Sequence, residues 1–134
     1  MAYPITDIRG IGPDTAALLK SEGIRTTIGL LRSAKTPKQR LKLAEMTRTN
    51  SERILGWVTA ADRMRVKGVG WEYSELLRAV GVKTVNELKF RNPEHLVDKM
   101  REANKRNLVR LLPKKQTVQR WIESAKKLPT IIRY

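Results

Sequence analysis

Apolar residues recur along the chain in short groups with helical spacing. Ala16, Leu19 and Gly23 form one such group, and Leu76, Leu77 and Val80 another. A third runs through Ile54, Leu55, Trp57 and Val58 behind a possible cap at Asn50 or Ser51. Gly23 and Gly81 stand where a helix ends on a left-handed residue. Thr84 and Glu87 have the spacing of a capping box, and Thr26 holds the place of Thr84 earlier in the chain. Thr36-Pro37 and Asn92-Pro93 each put a capping side chain before a proline at the first helical position. Alternating stretches are few. The pattern predicts an all-α fold.

The groups also repeat. "IRGIGPDTAALLKSEGIRT" (residues 8–26) returns as "VKGVGWEYSELLRAVGVKT" (residues 66–84), with Gly68 standing 58 positions after Gly10. "TPKQRL" (36–41) is echoed by "NPEHLV" (92–97), and "WVTAADRM" from Trp57 by "WIESAKKL" from Trp121, 64 positions on. The longer second offset places a few extra residues in copy two, near "LLPKKQ" (111–116). The chain reads as a tandem duplication, with a first unit at 1–65 and a second at 66–134, packed as one compact domain. Each unit is expected to hold four or five short helices. Trp57 and Trp121, at equivalent places beside apolar neighbours, are expected in the core.

Charge changes the picture more than size does. The 134 residues carry 28 Lys and Arg against 13 Asp and Glu, a net charge of +15, while 40% hydrophobic content argues for a folded chain. Such self-repulsion works against compactness and points to a polyanionic partner. There is no cysteine, so disulfides and thiolate metal sites are excluded. No apolar run approaches the roughly 18 residues of a membrane span, and the first residues do not read as a signal peptide. A cytoplasmic, DNA-associated location is expected. The cations concentrate in residues 32–48 and 99–134, and Lys105, Arg106 and Arg110 are close enough to share a helix face. A membrane-lying helix would need a broader apolar face than residues 99–110 provide, so no membrane partner is expected. RNA stays possible, although aromatic residues for base stacking are only 5% of the chain.

Candidate chemistry centres on Gly10-Ile11-Gly12 and Gly68-Val69-Gly70. Glycines permit a tight turn, the apolar residue between them can plug into the core, and the free N–H groups of the following helix start favour an anion. The turn alone is an equally good explanation of the glycines. Both stretches resemble the helix-hairpin-helix motif: an apolar residue, Gly-apolar-Gly, and a helix with Leu-Leu ending at glycine. The whole chain resembles a family of unknown function with two tandem modules of this kind, some members of which are labelled flap-endonuclease-like DNA nucleases. The resemblance implies sequence-tolerant binding of duplex DNA phosphates through the hairpin amides. Arg9 and Lys67, before each hairpin, and Lys20 and Arg78, on the next helix, would add charge. So would Lys105, Arg106 and Arg110. Two departures stand out. Asp14 and Glu72 occupy positions that are commonly basic in DNA-binding hairpins, and Trp71 replaces Pro13. Trp71 either touches a sugar or base or closes the interface between the units.

No catalytic constellation is visible. His95 is the one histidine and is expected at the surface, and Glu72 with Glu75 is a pair that copy one does not repeat. No cofactor or metal is expected. The leading expectation is therefore a non-enzymatic double-stranded DNA binder. A protein–protein adaptor with an acidic partner is the alternative, and a DNA nuclease the third reading.

Overall fold

The computed structural model describes residues 2–134. Five of its eight α-helices begin on a side chain that accepts a hydrogen bond from the first turn: α2 (Thr27–Ser33) on Thr26, α3 (Pro37–Met46) on Thr36, α4 (Ser51–Arg63) on Asn50, α6 (Val85–Leu88) on Thr84 and α7 (Pro93–Ala103) on Asn92. Thr36 and Thr84 complete capping boxes with Gln39 and Glu87. Thr26 caps without a box, because Gly29 stands three residues later and has no side chain to reach back. The other three helices, α1 (Pro13–Ser21), α5 (Trp71–Ala79) and α8 (Lys115–Lys126), have no side-chain cap. Gly23 and Gly81 follow α1 and α5 at φ +82° and +88°, the left-handed region that glycine enters without steric cost.

The fold is all-α. Among the described residues there are also two 3₁₀ turns, Ile5–Asp7 and Asn104–Arg106, and one isolated antiparallel bridge between Pro4 and Thr26. None of these helices is long and apolar enough to cross a membrane. Two apolar cores form. The first gathers Ile5, Ile8, Leu19, Leu30, Leu31, Ile54, Trp57 and Met64, and the second Val66, Val69, Leu76, Leu77, Leu88, Met100 and Trp121. Each core is closed by its own buried tryptophan, on α4 or α8. Trp71 packs on the first core although it opens the helix that helps build the second. Half-buried there, it lies between the halves and also lines the surface groove beside α5.

A polar seam ties the halves together at the end of α4. The Asp62 carboxylate accepts from the Val85 N–H at 2.9 Å and pairs with Arg65 at 2.6 Å. Arg63 donates to the Ser74 carbonyl and hydroxyl, both at 2.9 Å, and to the Lys83 carbonyl at 3.0 Å. Its guanidinium is almost wholly buried, and loss of hydration pulls its pKa down to about 10. Residues after α8 return to the first half. Ile132 enters the first core, and Arg40 donates to the Arg133 carbonyl at 2.7 Å.

Lys105, Arg106 and Arg110 do not share a helix face. Helix α7 ends at Ala103, and Asn107 adopts φ +56°, which turns the chain away. The Asn104 side chain accepts from the Val109 N–H at 3.0 Å, and Val109 is buried. Arg110 thus lies in irregular chain beyond the turn. Spacing alone does not reveal an asparagine able to reverse the backbone within a basic run.

Candidate nucleic-acid interface

The two glycine turns share a frame. The Ile11 N–H donates to the Ile8 carbonyl at 3.0 Å, and the Val69 N–H to the Val66 carbonyl at 3.0 Å. Ile11 and Val69 are buried plugs, while Gly10, Gly12 and Gly68 stay exposed and Gly70 is half-buried. The first glycine of each turn lies against the tryptophan of its own half. A Cβ on Gly10 would lie 2.8 Å from Trp57 Nε1, and one on Gly68 would lie 3.5 Å from Trp121 Nε1. Close approach to a ring is thus a reason for Gly10 that the sequence reading missed. The signal available was the joint recurrence of glycine and tryptophan in both copies.

The turns also differ. Gly68 sits at φ +89°, as the third residue of a type II turn must, whereas Gly10 does not have positive φ. Arg53 stacks 5.6 Å over the Trp57 ring and donates to the Gly10 carbonyl at 3.4 Å. Thr117 takes the place of Arg53 in the second half, so no guanidinium overlies the second turn in this way. Past the first turn, the space a Cβ on Gly12 would occupy is open, while one on Gly70 would lie 4.0 Å from the Tyr3 ring. Helices α1 and α5 start at these turns without side-chain caps.

Four of the expected basic residues, Arg9, Arg78, Lys105 and Arg106, line one groove of about 970 Å³ between α5 and the end of α7, and Lys99 joins them. Three acids stand in the same groove, each paired. Glu72 lies 3.9 Å from Arg9, Glu102 lies 3.0 Å from Lys105, and Glu75 holds Arg78 at 2.9 Å. The hydrogen bond that Arg78 donates to the Glu75 carboxylate keeps its guanidinium above its ordinary pKa. Among the described residues, Lys99 and Arg106 have no ion-pair partner, and both face solvent. Arg110 does not line this groove. Lys20 lies on the exposed side of α1. Lys67 belongs to a different cleft of about 860 Å³, with Gly68, Arg120 and Lys127.

An all-α chain with a mixed-charge groove and two exposed glycine turns is the class of molecule that emerges. The chain belongs to a family described as a domain of unknown function, DUF4332, whose model matches residues 9–128. No curated protein and no solved structure matches it.

Proposed function

We propose that the protein binds duplex DNA along its backbone, without reading sequence and without catalysing a reaction, as a tandem pair of helix-hairpin-helix modules. The observation that carries this reading is the state of the helix starts. The two helices that follow Gly-x-Gly turns lack side-chain caps, whereas five of the other six have them. Pro13 has no N–H, but the N–H groups of Asp14 and Thr15 in α1 and of Trp71 and Glu72 in α5 take no side-chain cap, and a phosphate oxygen is the acceptor that a helix dipole favours. The groove cations Lys99 and Arg106 supply charge not already spent on an internal acid. The net charge of +15 supplies the long-range attraction. Asp14 and Glu72 in the first turns favour modest affinity per hairpin.

The test is fluorescence anisotropy with a labelled random duplex, a matching single strand and a duplex RNA, from about 50 to 200 mM salt. Duplex DNA is expected to bind best, with a steep salt slope and little sequence preference. Lys99→Ala with Arg106→Ala is expected to weaken all duplexes alike and to flatten the slope by about one unit per lost phosphate contact. No duplex binding at the lowest salt overturns the reading.

A further inference from the structure

The first half has a crevice between its glycine turn and α4, and helix α5 occupies it. Arg9 on the turn pairs with Glu72 at 3.9 Å, and Arg63 on α4 pairs with Glu75 at 3.6 Å. Between these contacts the Ser74 hydroxyl donates to the Ala60 carbonyl at 3.4 Å, and Trp71 lies on the first core. The docked face of α5 thus reads as an aromatic residue, then Glu, then a small residue, then a second Glu three residues after the first.

The same crevice exists in the second half, and it is open. In the register of the repeat, Lys67 stands for Arg9, Ser124 for Ala60 and Lys127 for Arg63. These residues, with Gly68, Arg120 and Leu128, line the cleft of about 860 Å³ between the second turn and α8. The positive charges at both ends are kept, and the small residue that lets a helix approach is kept. Arg120 adds a cation where the first half has Gly56. Among the described residues Glu123 is the one acid in the cleft, and Lys126 holds it at 3.2 Å.

We propose that this cleft receives an α-helix from a partner protein, carrying an aromatic residue followed by two carboxylates three residues apart. The partner helix lies on α8 as α5 lies on α4. Lys67 takes the first carboxylate and Lys127 the second, which fixes direction and register through charge, and Leu128 offers apolar area to the partner. A second copy of this chain does not present such a helix. Its α1 has Pro13 and Ala17 where α5 has Trp71 and Glu75, and its α5 is already docked. This proposal does not rest on the DNA reading.

The probe is a peptide of residues 70–81, "GWEYSELLRAVG", held helical by a staple between positions 73 and 77, which point away from the docked face. Saturable binding to the intact protein is expected by anisotropy. It should weaken at least tenfold when both peptide glutamates are Gln, and likewise with Lys67→Glu or Arg120→Glu in the protein. Both protein positions are exposed, so circular dichroism and melting should match wild type. No saturation up to about 1 mM, or equal affinity for the charge-reversed proteins, overturns the proposal. It also falls if Arg120→Glu weakens duplex DNA binding but leaves the peptide unaffected, since the cleft is then a phosphate surface. Self-association in sedimentation that Arg120→Glu abolishes overturns it too, by making a second copy the occupant. Loss of duplex binding with the peptide result intact would remove the DNA reading alone.

Discussion

Helices α4 and α8 hold the same place in the two halves, yet one ends inside the molecule and the other outside. At the end of α4, Asp62, Arg63 and Arg65 are buried and bonded across to the second half. At the end of α8 the corresponding positions are Lys126, Lys127 and Pro129, all exposed. Both halves thus hold an apolar plug, a tryptophan and a glycine turn, while their outward charges differ according to what covers them. Buried charges must be paired and hydrogen-bonded, whereas exposed lysines need no partner and favour solubility.

The largest expected effect breaks this pair of helix ends. Asp62→Ala or Arg63→Ala should cost about 3–5 kcal/mol, because the first removes the carboxylate that pairs with buried Arg65 and accepts from Val85, and the second leaves the Ser74 and Lys83 carbonyls without their donor. Lys126→Ala and Lys127→Ala should stay within about 0.5 kcal/mol of wild type. Urea melts of the four variants check this, and equal losses would show that α4 does not carry the seam. Next in size is Ile132→Ala, expected to cost about 2–5 kcal/mol through a cavity in the first core. In native-state hydrogen exchange, the lost protection should appear first in amides of α2 and α4.

Smaller effects separate the two turns. Gly10→Ala should cost about 1–3 kcal/mol by pressing on the Trp57 ring, and Trp57→Phe should make that substitution better tolerated. Gly68→Ala should cost about 1–2 kcal/mol through its left-handed backbone. There Asn should be tolerated better than Ala, and Trp121→Phe should bring no relief. The smallest effect concerns acid. Lys115 hydrogen bonds Glu94 at 2.6 Å and holds its carboxyl below the ordinary glutamate range. The stability that this pair adds is present above that range and is lost as the pH falls through the depressed value. Lys115→Ala should therefore be slightly less stable than wild type at neutral pH and equal to it in strong acid. The corresponding first-half positions, Ser51 and Lys38, offer no such pair, so Ser51→Ala should show no pH-dependent difference of this kind.

Much of the fold was legible because local signals carry it. Thr36, Asn50, Thr84 and Asn92 cap the helices they precede, and Gly23 and Gly81 end theirs, since caps and left-handed residues act within a few positions. Contacts between distant residues were not legible in this way. Nothing near Arg63 in the chain announces Ser74 and Lys83 as its partners, and the residues around Trp71 leave its contact with the other half's core as only one of two roles. The groove was half visible. A run of cations marks charge but not geometry, so Lys105 and Arg106 entered it while Arg110 left by way of Asn107.

The segment after α8 has a consequence for the order of events during synthesis. Ile132 completes the first core, and the Arg40 guanidinium waits for a carbonyl 93 residues further along. An N-terminal half emerging from the ribosome thus lacks one of its own core side chains until residue 132 has been made. Contacts of such long sequence separation form late, because the chain must lose loop entropy before they repay it. The first half is therefore expected to stay loosely packed on the ribosome and to consolidate last, although its helices are the first to be translated.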